Sequence, residues 1–345
     1  MNAIVPTRIR WILVVCITVM VAIFFVDRVN ISICGQSIAH NFHLTNVQLG
    51  KIFGAFFLGY AIFQIPAGWI VDRLGPRKVL GLGALWWAVF TTLTASFPVG
   101  FAQAFLIMWF VRFSLGLGES VVFPTSNRWV ANWIPTSERG LANGLIFAGV
   151  GAGSAFAPPL VRYTMANLGW RAAFWGCGLV GLLVAVGWYW MARDYPDQHP
   201  WVNDAERKLI HQGLPQSHPL GLPKLSWGTM LGSRDVWALT ISYFCFGYTP
   251  GIYFTWFFIY LTQVRGVNLR TASYYTMLPF LAMSLGSAVG GWIADVVCRR
   301  FGRWWGRCGV AALGMVGASV LLAAALRPCL VTRSPSPSTA LSLDR

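Results

Sequence analysis

Charge is scarce in this chain. Aspartate and glutamate number 11 in 345 residues, and all four charged types make up 11%, against about 25% in a soluble globular domain. A core wrapped in a charged shell is therefore excluded. Paired cysteines are missing too. The seven cysteines, at 16, 34, 177, 245, 298, 308 and 329, form no C-x-x-C pair and mostly lie in apolar segments, so no disulfide or zinc framework is expected. The glycine-rich stretch Gly144, Gly149, Gly151 and Gly153 is followed by Pro158 and Pro159 and not by G-K-[ST]. It reads as close packing and a bend in a helix, not as a phosphate loop. The five histidines, 40, 43, 199, 211 and 218, are scattered. His40 and His43 are near each other, but we expect no metal there. No Ser–His–Asp or other catalytic set stands out. We expect neither an enzyme nor a cofactor.

What the chain has is apolar sequence: 56% hydrophobic residues, with 18 Trp and 24 Phe. A spanning helix needs about 20 mostly apolar residues. Candidates run over 11–38, 47–71, 79–97, 101–131, 140–162, 171–192, 236–263, 271–297 and 305–326. The first, preceded by Arg8 and Arg10, is too long for a signal-peptide core and reads as a retained helix. The expected fold class is an all-α membrane protein. It divides into a six-helix bundle over 1–192, a polar loop over 193–235 holding "NDAERKLI" as one short amphipathic helix, and about three helices over 236–326.

The net charge of +15 reads as a topology signal, because the basic residues fall in alternate loops. Arg8, Arg10, Arg73, Arg77, Lys78, Arg128, Arg139, Arg193, Arg207, Lys208, Lys224, Arg234, Arg299, Arg300, Arg303 and Arg307 share one side if the helices alternate. The other side has few: Arg162, Arg171, Arg265 and Arg270, with Lys51 at a helix start. The N-terminus and the long loop should be cytoplasmic. No nucleic-acid partner is expected.

An internal repeat links "AGWIVDR" at 67–73 with "GGWIADV" at 290–296, at corresponding places before and after the long loop. Repeated halves mark secondary transporters. "GWIVDRLGPRK" at 68–78 resembles the signature loop of the major facilitator superfamily, G-x-x-x-D-R-x-G-R-[RK]. The matching residues are Gly68, Asp72, Arg73, Gly75, Arg77 and Lys78, with Pro76 as a departure. A looser second copy places Gly291, Asp295, Arg299 and Arg300. Gly68 should let helices approach closely, Asp72 should meet a cationic group or a helix N-terminus, and Gly75 should permit a tight turn. The resemblance implies that this loop steadies one conformation and does not bind substrate.

The stretches "DRVNIS", "RFSLGLGESVVFPTSNRWVANWIPTSERGLANG", "GWRAAFWGCG", "PDQHPWVNDAE" and "YFTWFFIYLTQVRG" resemble the anion:cation symporter branch, which includes glucarate and galactonate permeases. That resemblance implies a transporter moving a small organic anion with protons; we further expect a monomer in the inner membrane. Few ionisable residues lie inside the apolar runs: Asp27, Arg28, Arg112 and Glu119. Such residues avoid lipid and line an interior. Arg28 suits an anionic substrate, and Asp27 and Glu119 can exchange protons. Arg112 shares a helix face with Glu119. Tyr60 and Gln64, one turn apart, could add hydrogen bonds. Asn127, Thr255, Trp256 and Tyr260 join the candidate substrate site mainly through the resemblance. The structural readings stay open: Asp27–Arg28 or Arg112–Glu119 as ion pairs that fix packing, and Tyr60 and Gln64 as helix contacts.

The resemblance implies two halves of six helices, and it stops near Ala325. The segment 327–345, rich in Ser, Pro and Arg, shows no helical period and reads as a disordered or frameshifted tail, with three further helices lost. The rival readings are a truncated non-functional product and a non-transporting membrane sensor of the same fold.

Overall fold

The computed structural model describes residues 5–98, 103–214 and 227–331. The helices are α1 Ile9–Asn41, α2 Asn46–Leu74, α3 Pro76–Thr94, α4 Ala104–Glu119, α5 Val122–Trp133, α6 Arg139–Leu168, α7 Trp170–Met191, α8 Asp204–Gly213, α9 Trp227–Leu231, α10 Arg234–Thr255, α11 Phe257–Ile259, α12 Leu269–Phe301 and α13 Val310–Val331. Among the described residues there is no β-strand.

Among the described residues, seven spans are long and apolar enough to cross a bilayer, with α4 and α5 counted as one. The sequence suggested nine. The two outside this set are α3, which opens on Arg77 and Lys78 and ends in Thr91, Thr92 and Thr94, and α10, which opens on Arg234 and Asp235 and carries Tyr243, Tyr248 and Tyr253. Their polar ends dilute the apolar stretch. The single span expected over 101–131 is broken at Ser120 and Val121. Pro124 explains the break, since it lacks an N–H and its ring collides with the carbonyl four residues back. The span expected over 236–263 also divides, into α10, α11 and a π-helical turn over Tyr260–Val264. At the other end α13 continues to Val331, past the expected limit of 326. Residues 327–331 of the tail expected over 327–345 are thus helical, and the rest of it lies outside the described residues.

Residues 1–291 form one compact unit and residues 292–345 another. In the first, helices pack as α1 on α6, α2 on α4 and α3 on α7. α6 achieves this with glycine on two faces. A β-carbon at Gly149 or Gly153 would strike the backbone of Thr18 or Ala22 in α1, and one at Gly144 or Gly151 would strike the backbone of α12 at Ser287 or Ser284. Close approach of small residues is a common way to associate helices in lipid. The helix continues through Pro158 and Pro159. The core is aromatic-rich, with Trp87, Trp129 and Trp133 fully buried. The indoles of Trp129 and Trp133 stack at 5.1 Å and both donate to the carbonyl of Arg193, at 3.2 and 3.1 Å.

The short amphipathic helix expected in the long loop is α8. Asn203 caps it, its side chain accepting from the Glu206 N–H at 2.9 Å, as N-cap residues do. Glu206 is buried and reaches back to the start of α1. It accepts from Thr7 Oγ1 at 2.6 Å, the Ile9 N–H at 3.1 Å, the Arg10 N–H at 3.3 Å and Arg10 Nη1 at 2.9 Å. Arg10 Nε also meets Glu138 at 3.2 Å. A carboxylate at a helix N-terminus satisfies orphan N–H groups and complements the dipole.

The second unit holds the end of α12, a π-helical turn over Trp305–Gly309 and α13. Buried Asp295 meets Arg307 Nη2 at 3.2 Å, and Gly302 has φ +89 where the chain turns.

Candidate functional site

The site is built on the middle of α1. Asp27 and Arg28 are consecutive and therefore point about 100° apart on the helix. They do not pair, contrary to the ion-pair reading of the sequence. Asp27 turns to α3, where its Oδ2 accepts from Thr91 Oγ1 at 2.8 Å and from Trp87 Nε1 at 3.1 Å. Trp87 and Thr91 are four residues apart and so present one face.

Arg28 turns toward α4. Its Nη2 and Nε donate to one oxygen of Glu119, Oε2, at 2.6 and 3.2 Å. The Arg28 guanidinium lies over three rings, at 4.4 Å from Phe25, 4.9 Å from Phe56 and 5.0 Å from Tyr60. Such contacts hold a cation by the ring quadrupole. Glu119 is the last residue of α4, just before the break that Pro124 imposes.

Arg112 is 1% exposed, and its guanidinium is 5.4 Å from the Phe56 ring. It does not pair with Glu119. Seven residues of helix place the two about 10 Å apart along the axis, and Arg28 from the facing helix takes the carboxylate instead. Four atoms of this cluster are buried with no hydrogen-bond partner: Asp27 Oδ1, Glu119 Oε1, and Arg112 Nε and Nη1. Buried polar atoms are nearly always paired, so each of these calls for a ligand, a water or a rearrangement. The formal charges balance, two arginines against two carboxylates.

Arg28, Ser32, Phe53, Phe56, Arg112 and Phe254 line one pocket with Ile31 and Phe57. About 20 Å³ of it is open to the centre of a water-sized molecule, room for about one water. Tyr60 packs against Arg28. Gln64 is half-buried, with its Oε1 unpartnered. Asn127 is exposed on α5, and Trp256 and Tyr260 are exposed beyond α10, so none of the three joins the cluster. The Thr255 side chain lies outside the described residues. Phe254, which the sequence reading did not single out, is the α10 residue that reaches the pocket, and its ring meets Phe25 at 5.6 Å and Phe280 at 4.9 Å. The aromatic spacing Phe56–Tyr60 and the pair Trp87–Thr91 were the available signals for the surrounding shell.

The signature loop lies elsewhere. Asp72 faces Arg128 at 3.6 Å, both exposed, and Arg73 lies over the Trp69 ring at 3.8 Å. Gly75 has φ +82, which glycine adopts freely. Pro76, the departure from the family pattern, is the first residue of α3, where a missing N–H costs nothing. The Arg77 N–H donates to Asp194 at 2.7 Å, and Lys78 is exposed. Gly68 corrects an expectation, for a β-carbon there would meet nothing within 4 Å. The close approach belongs to its counterpart, since a β-carbon on Gly291 would strike the carbonyl of Gly140. Arg299 and Arg300 are exposed in the last turn of α12.

Residues 15–335 match the family described as Major Facilitator Superfamily. The chain belongs to this superfamily. The "Probable sulfoacetate transporter SauU" of Cupriavidus necator is 35% identical over 320 residues, which cover 92% of this chain and 72% of that protein. The "Probable galactarate/D-glucarate transporter GudP" of Bacillus subtilis is 31% identical over 305 residues, 85% of this chain and 66% of that protein. The "Ascorbate transporter, chloroplastic" of Arabidopsis thaliana is 32% identical over 295 residues, 84% of this chain and 53% of that protein. The chain thus spans from about half to about 72% of the length of these relatives. A bacterial homologue of the human lysosomal transporter Spinster, in an inward-facing unoccupied conformation, superposes with a TM-score of 0.63 at 19% identity, covering 86% of this chain and 64% of that one. The proton:xylose symporter XylE superposes at 0.55 and 15% identity, covering 85% and 70%. These structures share the all-α major facilitator fold. Relatives of this superfamily are transporters and not enzymes, and the chain is a multi-pass membrane protein.

Proposed function

We propose that this chain carries the anion site of a secondary transporter that imports an organic acid, of the sugar-acid class or a related carboxylate, together with protons. The observation that carries this reading is the Arg28–Glu119 contact, at 2.6 Å and buried beside Asp27 and an unpartnered Arg112. Arg28 is committed to one carboxylate oxygen. A substrate carboxylate of the same chemistry competes for it, and protonation of Glu119 frees the guanidinium to receive the anion. Proton and anion then load together, and Asp27 serves as the second proton-exchanging group. Transport follows by alternating access, with one half rocking against the other around the site. The sulfoacetate and galactarate/glucarate names among the relatives support an anionic cargo.

In this reading residues 1–192 form the N-terminal bundle, 193–235 the cytoplasmic loop and 236–326 part of the second bundle. The transporter works as a monomer in the inner membrane with its N-terminus cytoplasmic, as the distribution of Lys and Arg suggests. The test is uptake of labelled glucarate, galactarate and sulfoacetate into vesicles containing the chain, with and without an imposed proton gradient. We expect gradient-dependent accumulation of at least one of them. Absence of all three overturns the reading for this chain.

A further inference from the structure

A second cavity lies away from the charged cluster. It is a groove of about 600 Å³ between α3 and α7, at the end where α3 begins and α7 stops. Leu82, Leu85 and Val186 form its walls, and each is exposed on the outer surface of the helix pair. Tyr189 and Trp190 stand near its mouth, also exposed. Aromatic residues of this kind settle at the headgroup level of a bilayer. Three basic residues, Arg77, Lys78 and Arg193, complete the mouth.

These cations are held in place yet incompletely used. Arg77 Nε and Nη2 donate to the Tyr189 carbonyl at 3.0 and 2.7 Å, leaving Nη1 free. Arg193 Nη1 donates to the carbonyls of Trp190 and Ala192 at 2.9 and 2.7 Å, leaving Nε and Nη2 free. Lys78 makes no hydrogen bond or ion pair among the described residues. One carboxylate is present, Asp194, which accepts from the Arg77 N–H at 2.7 Å. Three cations against one anion leave the mouth positive. The backbone beneath it is anchored by Trp129 and Trp133 on the Arg193 carbonyl and by Asn132 on that of Asp194.

We propose that this groove binds an anionic phospholipid, with an acyl chain along the apolar walls and the headgroup phosphate on Arg77, Lys78 and Arg193. Apolar walls alone would accept any lipid. The positive mouth selects the anionic ones, as basic pockets between spanning helices do. The inference uses the membrane fold only and is independent of what is transported.

Native mass spectrometry of the full chain in detergent, titrated with phosphatidylglycerol or with phosphatidylcholine of the same acyl chains, tests it. Phosphatidylglycerol should be retained preferentially. The double variant Lys78→Gln, Arg193→Gln should weaken its retention roughly 25-fold, about a factor of five for each basic side chain. Leu85→Trp, which fills the groove and leaves the charges in place, should also release the lipid. Excess inorganic phosphate should not displace it. Equal retention of the two lipids, retention unchanged in either variant, or displacement by phosphate would overturn the proposal.

Discussion

Two buried clusters of charge in this molecule are built from the same residue types and differ in completeness. At the start of α1, Glu206 accepts from one hydroxyl, two backbone N–H groups and a guanidinium, and Arg10 is shared with Glu138. In the middle of α1, Arg28 spends two N–H groups on one oxygen of Glu119, while the other oxygen, one oxygen of Asp27 and two nitrogens of Arg112 go without. A filled network holds helices together. A network with open valences in a low-dielectric interior is costly to keep. Charge and burial are alike in the two clusters, and the number of bonds made is what differs.

The difference predicts opposite consequences for similar substitutions. Arg28→Ala should weaken anion uptake roughly a hundredfold or more, since it strips the partner of a desolvated charge pair. Arg28→Lys should not rescue it, because an ammonium cannot reproduce the planar fork. Uptake by Arg28→Ala at the parental rate would remove this residue from the site. Glu206→Ala should act on folding instead, costing about 3 kcal/mol, as Thr7 and the first N–H groups of α1 lose their acceptor and buried Arg10 keeps only Glu138. A lowered thermal midpoint in detergent, with unchanged uptake per folded molecule, is the expected pattern. Loss of uptake at full stability would erase the distinction between the clusters.

Glu119→Gln sharpens the comparison further. Its shape is kept but its charge is lost, so Arg28 is left without its buried carboxylate and the thermal midpoint should fall as well, by the equivalent of about 3 kcal/mol; uptake is therefore compared per folded molecule. Accumulation against a gradient should vanish while exchange of anion for anion persists. Normal accumulation in this variant would separate Glu119 from proton movement.

The smallest effect belongs to His199, beside the filled cluster. Its Nε2 lies 3.2 Å from the Met191 carbonyl, and its Nδ1 accepts from the Trp201 N–H at 3.3 Å. Burial holds this imidazole below the usual histidine value. Its contribution to stability is therefore complete above about pH 6.5 and is lost as pH falls toward the lowered value. Melting curves recorded against pH should slope downward on the acid side and flatten in His199→Gln. Parallel curves would contradict this.

Much of the fold could be read from the apolar runs, because a bilayer imposes length and hydropathy on each helix. The break after Glu119 was written in Pro124 but hidden by the apolar residues around it. The four ionisable residues of the site were visible for the same reason that charge is rare in the chain. Their partners were not. Asp27 and Arg28 are neighbours in sequence and point apart on a helix, while Arg112 and Glu119 share a face at too great a distance. Contact is decided by the facing helices, and a single sequence does not display these. Glu206 was hidden for another reason, since a charged residue in a polar loop looks solvated. Only the spacing Asn203-x-x-Glu206 hinted at a cap.

The filled cluster also has a history in time. The hydrogen bond from the Ile9 N–H to Glu206 spans 197 residues. At roughly 5–20 residues per second, a ribosome needs roughly ten to forty seconds to travel between them. The first helix is thus made long before the residue that caps it, and its opening turn has only water for a partner while six more helices are laid down. The clasp closes only when the loop after α7 arrives, so the start of this bundle is the last part of it to be finished.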